Sequence, residues 1–309
     1  MNILVTGGAG FIGSNLVKKL ISLSHNIVVI DNLSTGYKKN IPPEVDFIKG
    51  DVSNINLIDK LENYDIDFIF HIAGQSSGQI SFEKPLLDLD YNVKSTLNLL
   101  DFMKKSNLTK IVFASSMSVY GNKNSFPVKE TDLLEPISHY GISKLTSEAY
   151  LNLYSNLNLS CISLRLFNIY GPNQNLSNLK QGMLSIYLSQ ALNSEKIIVK
   201  GSMDRFRDFV YIDDCIDALL KSFNYLNKNQ KSVHHKLNIC NSCPVYVKDM
   251  VNEINSRFNF KKTIVVKNST PNDQFGIYGC NKKAKEVLNW EPVFDFKNGL
   301  DLLFKYYEI

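Results

Sequence analysis

The residues best suited to acid–base chemistry lie in the segment SHYGISK, residues 138–144. Tyr140 precedes Lys144 by four residues, so both side chains share one face if the segment is helical. A phenol has a pKa of ~10, and it becomes a base near neutral pH only when its phenolate is stabilised. The ammonium group of Lys144 can provide that stabilisation. Because the same spacing is common on surface helices, the pattern alone leaves a catalytic and a solvent-exposed role open.

Two serines stand at the end of an apolar run in FASSMSVYG, residues 113–121. In a doubly wound sheet the strand ends point into the cofactor crevice, so these serines should lie near Tyr140 and Lys144. We expect Ser115 to bond to the backbone of a turn and Ser116 to act on the substrate. Tyr140 would then be the general base for a substrate hydroxyl, and the carbon bearing this hydroxyl would give a hydride to a nicotinamide.

A glycine-rich turn, TGGAGFIG at residues 6–13, separates the first apolar run from the first helical pattern. Gly7 permits a tight turn, Gly10 lets a pyrophosphate approach the backbone, and Gly13 lets the helix pack on the strand. The start of that helix offers N–H groups and a positive dipole end to a diphosphate. The position of the turn between strand and helix, more than its glycines alone, predicts a dinucleotide site.

Carboxylates follow the next two strands. Asp31 ends the run NIVVID 18 residues after Gly13, which is the position of a carboxylate that binds the adenine ribose. Such a carboxylate repels the 2′-phosphate of NADP, although Lys38 and Lys39 are near enough to weaken the repulsion. NAD is therefore the expected cofactor. Asp51 follows the third strand, where it can meet the adenine or serve only the turn.

The composition is that of an ordinary globular protein, with 309 residues, 44% hydrophobic and 21% charged. The formal charge of +4 includes only short, scattered lysine pairs, which favours solvated faces over a nucleic-acid surface. The chain begins with a strand-like run rather than a signal peptide, and no apolar run is long enough for a bilayer. We therefore expect a soluble, cytoplasmic protein without nucleic-acid or membrane partners.

The cysteines and histidines do not form a metal-ligand pattern. Cys240 and Cys243 have C-x-x-C spacing, but no second pair follows at the spacing of a zinc site, so we expect reduced thiols and no metal. His71 ends an apolar run, and we expect it to be packed in the interior. His234 and His235 fall in a polar segment that we expect to be a loop.

Strand-like runs alternate with helical segments along the first half of the chain. The runs lie at 2–7, 26–31, 45–51, 67–74, 110–116 and 160–168, and the longer helical segments at 11–23, 85–105 and 139–157. Near-continuous Val, Ile, Leu and Phe runs in this order predict an α/β fold, a Rossmann-type doubly wound parallel sheet. Residues 1–169 and 207–240 should form the NAD-binding domain. Residues 170–206 and 241–309 should form a smaller α/β substrate lobe.

With these motifs the sequence resembles the extended short-chain dehydrogenase/reductase superfamily, and within it the UDP-glucose 4-epimerase branch of nucleotide-sugar enzymes. The motifs are TGGAGFIGSNLV, DNLSTG, HIAGQSS, YNVKSTLNLL, SSMSVYG, YGISK, RLFNIYGPNQ, RFRDFVYIDD and LNWEP, which together extend over nearly the whole chain. The resemblance implies bound NAD and a nucleoside diphosphate sugar as substrate. It also implies a homodimer formed through the helices at 85–105 and 139–157.

The resemblance assigns roles to individual residues. It implies catalytic roles for Ser116, Tyr140 and Lys144. It implies cofactor contacts at Gly7, Gly10, Phe11, Ile12, Gly13, Asp31, Asn32, Asp51, Val52, Ala73, Gly74, Gln75 and Asn92, as well as at Tyr140 and Lys144. It implies substrate contacts at Ser76, Ser116, Met117, Asn168, Arg207 and Ile277, with Arg207 paired to a phosphate.

The residues after the catalytic serine bear on the type of reaction. By the resemblance, 4,6-dehydratases and nucleotide-glucuronate decarboxylases carry an acidic residue there, which Met117 and Ser118 cannot replace. This favours 4-epimerisation, in which NAD takes a hydride from C4 of the sugar and returns it to the other face. The alternatives are a 4-keto reductase or 4,6-dehydratase, and a non-catalytic dinucleotide sensor. The intact Ser116, Tyr140 and Lys144 disfavour the sensor.

Several positions depart from the pattern of the branch. Ser76 stands where galactose epimerases have a lysine, Thr270 where the branch often has an arginine, and Cys280 where it usually has an aspartate. Ile277 occupies the position that sets the room around the 2-substituent of the sugar. Its medium size leaves both UDP-glucose/UDP-galactose and UDP-N-acetylhexosamines open as substrates.

Overall fold

The central element of the fold is a parallel sheet, seen in a computed structural model that describes residues 1–229, 231–268 and 274–308. In chain order the strands are β1 (Asn2–Thr6), β2 (Asn26–Asp31), β3 (Asp46–Lys49), β4 (Phe68–His71), β5 (Lys110–Ser116), β6 (Ser160–Leu166), β7 (Asn168–Tyr170), β8 (Lys196–Lys200), β9 (Phe206–Arg207), β10 (Phe209–Tyr211), β11 (His234–Ile239), β12 (Val245–Tyr246) and β13 (Thr263–Lys267). Seven of these strands form the sheet, in the order β11-β6-β5-β4-β1-β2-β3. Its strand order reverses at β1, as in a doubly wound fold, so the predicted fold class is confirmed.

Helices cover both faces of this sheet. In chain order they are α1 (Phe11–Ser22), α2 (Ile55–Ile58), α3 (Gly78–Glu83), α4 (Pro85–Leu89), α5 (Ser95–Lys105), α6 (His139–Ser155), α7 (Met183–Asn193), α8 (Ile212–Lys228), α9 (Val247–Ser256), α10 (Lys282–Leu288) and α11 (Phe296–Tyr307). Short 3₁₀ turns lie at Lys38–Asn40, Asp59–Asn63 and Met117–Val119, and a π-helical turn at Asp90–Lys94. Helices α1 and α8 pack on one face, and α2, α5 and α6 on the other.

The apolar runs form central strands because both of their faces are buried. Along β1, Ile3 and Val5 pack with α1 and α8, whereas Leu4 packs with the helices of the opposite face, and all three are 0% exposed. Alternate side chains of a strand point to opposite faces, so a continuous apolar run satisfies both cores. The runs at 26–31 and 110–116 become β2 and β5 with the bounds read from the sequence.

The helical segment at 85–105 is not one regular helix. It consists of α4, the π-helical turn at Asp90–Lys94 and α5. The extra residue in a π turn changes which side chains point inward, and such turns are frequent at functional sites. Here the turn buries Asn92, whose backbone oxygen accepts hydrogen bonds from Thr96 and Ser147.

The prediction that His234 and His235 lie in a loop is wrong. Both residues belong to β11, where they pair with Cys161 and Ile162 of β6 at the edge of the sheet. One ring nitrogen of each is bonded to a side chain, since His234 Nε2 hydrogen-bonds to Ser163 Oγ and His235 Nε2 to the Tyr225 hydroxyl, whereas His234 Nδ1 is buried without a hydrogen-bond partner. A polar pair can extend an edge strand because only one side of that strand is covered.

The remaining strands form small sheets outside the central one. Strand β8 pairs in parallel with β13, β9 pairs antiparallel with β12, and β10 pairs in parallel with β7. Helix α7 packs against both β8 and α9, so these three elements share one apolar core. Among the described residues, none of the helices combines the length and the apolar character needed to cross a bilayer.

Candidate active site

A cavity of about 320 Å³ opens at the carboxyl ends of the central strands. Most residues predicted for cofactor and substrate line it, namely Gly7, Gly10, Phe11, Ile12, Gly13, Asp31, Asn32, Asp51, Val52, Ala73, Gly74, Ser76, Ser116, Met117, Tyr140, Lys144 and Asn168. These residues come from the ends of six strands and the helices that follow. The topology therefore brings together positions that are up to 161 residues apart in sequence (Gly7 to Asn168).

The glycine turn closes tightly against the loop after β4. Gly7 has a φ of +72°, and a Cβ added there would lie 2.7 Å from the backbone nitrogen of Ala73. A Cβ at Gly13 would lie 2.1 Å from the Gly7 carbonyl oxygen, so α1 packs directly on the turn. No side chain caps the start of α1 at Gly10, which leaves its N–H groups to a ligand. This cradle fits the diphosphate of a dinucleotide.

Asp31 sits at the end of β2 and is 8% exposed. Its carboxylate accepts hydrogen bonds from the N–H groups of Ala9 and Leu33, at 2.9 and 2.7 Å. Burial raises the pKa of this carboxyl, and the backbone hydrogen bonds partly oppose the effect. Asp51 accepts hydrogen bonds from the Asn32 amide, at 3.2 Å, and from an N–H of its own turn. It therefore serves the turn, and it also lies at the cavity wall, where it can meet the adenine. A ribose hydroxyl is the ligand that Asp31 fits.

Tyr140 and Ser116 face one another in the cavity. The Tyr140 side chain is 9% exposed, and burial raises its pKa to about 12. A hydrogen bond with the Ser116 side chain partly opposes this rise. Ser116 Oγ also accepts the Ser118 N–H at 3.1 Å, which fixes the serine at the start of the 3₁₀ turn after β5.

Lys144 lies beneath the tyrosine on the next turn of α6. Its Nζ donates to the Ala114 carbonyl oxygen at 2.9 Å and lies 5.9 Å from the centre of the Tyr140 ring. Burial lowers the pKa of Lys144 to about 8, against the opposing charges of Asp88 and Glu148. We expected Lys144 to lower the pKa of Tyr140. Burial prevails instead, and the phenol keeps its proton at neutral pH.

The expectation for Ser115 is wrong. Its hydroxyl does not bond to a turn but donates to Glu148 Oε1 at 2.6 Å. Glu148 in turn forms a buried ion pair with Arg165 at 2.7 Å, with the two side chains 2% and 1% exposed. Ser115 therefore fastens the end of β5 to α6 and β6, directly beside Ser116.

Gln75 and Asn92 were predicted to bind the cofactor, but neither lines the cavity. Both are buried, and both donate to Asp88 Oδ1, at 2.8 and 3.1 Å. Asn92 Oδ1 has no hydrogen-bond partner. This atom and Lys144 Nζ would lie 2.5 and 3.1 Å from a Cβ added to Gly74, so the missing side chain of that glycine provides their space.

Three predicted substrate residues line the far end of the cavity. Asn168 Nδ2 donates to the Asp208 carbonyl oxygen at 3.0 Å and contacts the Met117 sulfur at 3.6 Å. Ser76 Oγ accepts a hydrogen bond from Gln181 Nε2. This bond joins the loop after β4 to the segment before α7, so the two sides of the cavity meet at Ser76.

The structure does not place Arg207 or Ile277 on the cavity. The Arg207 side chain is 5% exposed, and its guanidinium donates to the carbonyl oxygens of Phe206, Gln274 and Phe275. Ile277 is 0% exposed and packs in the core. A pattern of residue types does not show which way a side chain of the short strand β9 points. Thr270 lies outside the described residues.

Part of the cavity wall, formed by the segment before α7, was not predicted from the sequence. Gln174, Gln181 and the first residues of α7 line the cavity, as do Ser34 and Thr35 beyond Asp31. The available signal was the position of Gln181 at the start of a helical pattern within residues 170–206 of the predicted lobe. The prediction for His71 is confirmed, since it is 0% exposed, bonds to Thr6 and Thr96, and has a pKa lowered to about 3 by burial.

Comparisons with known proteins agree with this geometry. Residues 3–240 match the model of the NAD dependent epimerase/dehydratase family. The chain is 36% identical over 300 residues to a Methanocaldococcus jannaschii protein provisionally named as a UDP-glucose 4-epimerase, covering 96% of the chain and 95% of that protein.

Solved structures give the same result. The UDP-glucose 4-epimerase of Thermotoga maritima with UDP-glucose superposes with a TM-score of 0.93 at 32% identity, covering 100% of this chain and 99% of that one. The Thermus thermophilus UDP-glucose 4-epimerase in complex with NAD superposes with a TM-score of 0.89 at 26% identity, again over 100% and 99% of the two chains.

Proposed function

This chain belongs to the NAD-dependent epimerase/dehydratase family and is an NAD-dependent nucleotide-sugar epimerase, and we propose that it interconverts the C4 epimers of a UDP-linked hexose or N-acetylhexosamine. The observation that carries this proposal is the convergence of Ser116, Tyr140 and Lys144 on the cavity that the glycine turn and Asp31 also line. The UDP-glucose relatives support the choice of nucleotide and sugar class.

We propose the following roles for the residues of the site. NAD, when bound, would supply the acceptor for the hydride of C4 of the sugar and the donor that restores it. Ser116 holds the O4 hydroxyl, and Tyr140 accepts its proton as C4 is oxidised. When the 4-keto sugar presents its other face, the same phenol returns the proton to O4. The glycine turn, Asp31 and Asn32 would hold the dinucleotide.

The raised pKa of Tyr140 sets the energetic demand on this mechanism. Bringing it from about 12 to near 7 requires about 7 kcal/mol of preferential stabilisation of the phenolate, since a tenfold change in equilibrium is about 1.4 kcal/mol. Positive charge in a low-dielectric site is the effect large enough to supply this. Lys144, 5.9 Å from the ring, is the protein's contribution, since the effect of the Ser116 hydrogen bond is already included in the pKa of about 12.

Epimerisation agrees better than elimination with the residues after Ser116. A 4,6-dehydratase needs an acid near the leaving hydroxyl, and Met117 and Ser118, which line the cavity, supply a thioether and a weakly acidic hydroxyl.

We propose that residues 170–206 and 241–309 hold the sugar nucleotide. Gln174, Gln181 and the first residues of α7 belong to the first of these segments and line the cavity, which supports this division.

The test is to incubate the NAD-loaded protein with UDP-glucose, and separately with UDP-N-acetylglucosamine, and to follow the sugars by NMR. We expect one substrate to reach equilibrium with its 4-epimer and no net formation of NADH. Unchanged sugars would contradict the proposal, whereas net consumption of NADH or a 4-keto-6-deoxy product would favour a reductase or a dehydratase.

A homodimer is the proposed assembly. Helices α3, α4 and α6 pack against one another and expose large apolar side chains, namely Phe82 (44%), Leu86 (76%), Leu89 (51%) and Ile142 (51%). Apolar side chains that cluster on neighbouring elements are typical of protein interfaces. All but Phe82 lie in the segments 85–105 and 139–157, at which the resemblance implies a dimer contact, so we propose that a second copy covers this apolar face.

A further inference from the structure

A buried carboxylate beside the active site has no role in the reaction as proposed. Asp88 in α4 is 0% exposed. Its Oδ1 accepts hydrogen bonds from Gln75 Nε2 and Asn92 Nδ2, at 2.8 and 3.1 Å, and its Oδ2 accepts one from Ser143 Oγ at 2.7 Å. All three donors are uncharged, so these hydrogen bonds stabilise the carboxylate without neutralising its charge.

The donors connect Asp88 to the catalytic lysine. Ser143 directly precedes Lys144 in α6. The free Oδ1 of Asn92 and the Lys144 ammonium lie side by side over Gly74. Asp88 therefore joins α4, the π-helical turn, the loop after β4 and α6 at the point where Lys144 is held.

The charge of Asp88 acts on both titrating residues of the site. It is the larger of two carboxylate charges that oppose the lowering of the Lys144 pKa by burial, the other being Glu148. It also raises the pKa of Tyr140 further. His71 in β4 faces Lys144 but is uncharged at neutral pH, because its pKa is about 3.

The other charged groups on the neighbouring elements point to solvent. They are Glu83 of α3, Lys84 before α4, and Asp90 and Lys94 of the π-helical turn, and the imidazole of His139 at the start of α6 is exposed as well. The two carboxylates among them pair with exposed lysines, Glu83 with Lys180 and Asp90 with Lys94. Solvent screens such exposed charges, so Asp88 and Glu148 are the carboxylates that act on Lys144 from within the protein.

We propose that Asp88 is a positioning residue, whose carboxylate fixes the loop after β4, the π-helical turn and α6 around Lys144 and keeps this lysine cationic beside Tyr140. The inference rests on the proposed epimerisation, in which the ammonium supports the phenolate. It assigns two functions to one side chain, a geometric one through three hydrogen bonds and an electrostatic one through its charge.

The first test measures the pH profile of kcat for the holoenzyme with UDP-glucose. In Asp88→Asn and Asp88→Ser both limbs of the profile should move to lower pH. The acidic limb moves because the Tyr140 phenolate forms more readily, and the basic limb moves because the Lys144 ammonium loses its proton at lower pH. Asp88→Glu keeps the charge and should keep the wild-type limbs with a lower kcat. Asp90→Asn, the matched change at an exposed carboxylate, should leave both limbs in place. Wild-type limbs in both neutral variants would overturn the proposal.

The second test does not depend on turnover. The holoenzyme is labelled with tyrosine carrying ¹³C at Cζ, and the Tyr140 signal is identified by its loss in Tyr140→Phe. The pKa of Tyr140 read from this signal should be lower in both neutral variants than in wild type, and an unchanged value would overturn the role of Asp88. Serine is smaller than asparagine and leaves room for water at the three donors. Asp88→Ser therefore replaces Asp88→Asn in both tests if the asparagine variant does not fold.

The two tests separate this inference from the proposed function. If UDP sugars are not converted but the Tyr140 signal shifts in the variants, the proposed function fails and the electrostatic role of Asp88 stands. If the sugars are converted and neither the signal nor the limbs shift, the function stands and the role of Asp88 fails.

Discussion

At Tyr140, burial and the proposed chemistry act in opposite directions. A buried phenol holds its proton more strongly than one in water, and here its pKa rises to about 12. The same burial excludes water, so a nearby positive charge acts on the phenolate more strongly than it would at the surface. The spacing of Tyr140 and Lys144 is therefore only half of the catalytic arrangement, and the depth of the cavity is the other half.

Removal of the Tyr140 hydroxyl tests its role as the general base. We expect Tyr140→Phe to lower kcat by about 10²–10⁴-fold, the usual contribution of a general acid–base residue. NAD binding, measured by isothermal titration calorimetry, should persist because the glycine turn and Asp31 are unchanged. Tyr246→Phe, at a 38% exposed tyrosine of β12, is the matched control and should keep wild-type kcat. A Tyr140→Phe protein with wild-type kcat would rule out this base.

The sequence identified those site residues whose position follows from the topology. Gly7, Asp31, Ser116 and Tyr140 each lie at a strand end or in the following helix, and a doubly wound sheet brings all such positions to one crevice. The position of Arg207 away from the cavity could not be predicted, because β9 is two residues long and its side-chain direction depends on long-range packing. The pKa of Tyr140 also depends on packing and could not be read from the sequence.

At the scale of elements, α6 is the part of the fold that organises the site. Tyr140, Lys144 and Glu148 follow one another at intervals of four residues on the buried face of this helix. Glu148 binds Arg165 of β6 through both of its oxygens, at 3.0 and 2.7 Å, and also accepts from Ser115 of β5. The helix is thus held by a charged network behind the catalytic residues.

Removal of one partner from this network should be costly. We expect Glu148→Gln to lower the free energy of unfolding by about 3–5 kcal/mol, because it leaves the Arg165 guanidinium buried without its counter-charge. The measurement is urea denaturation followed by circular dichroism. Glu83→Gln removes an exposed ion pair with Lys180 and should leave the free energy of unfolding nearly unchanged, because solvent screens this pair. Equal, small effects of the two changes would show that the buried pair does not stabilise the fold.

The sequence predicted the long buried elements better than the irregular ones. Strands β2 and β5 were predicted to the residue, because their runs of branched apolar side chains match a strand buried on both faces. The π-helical turn was missed because its residues continue the apolar stripe of a regular helix. The histidines of β11 were missed because an edge strand tolerates polar residues, which the pattern takes for a loop.

At the scale of the whole molecule, the apolar face on α3, α4 and α6 should determine the assembly. We expect the wild-type protein to sediment as a dimer in analytical ultracentrifugation, and Leu86→Lys combined with Ile142→Lys to sediment as a folded monomer. A matched control is Val293→Lys, which changes an 80% exposed apolar residue between α10 and α11 and should leave the dimer intact. A monomeric wild-type protein would contradict the proposed dimer.

The central claim is that one cavity removes a hydride from C4 of a UDP sugar and returns the same hydride. The most direct measurement uses UDP-glucose or UDP-N-acetylglucosamine deuterated at C4, NAD-loaded enzyme and ordinary water. The account predicts that the 4-epimer forms and retains deuterium at C4, since Tyr140 exchanges only the O4 proton with its surroundings. An epimer that carries hydrogen from water at C4, or the absence of any epimer, would contradict the account.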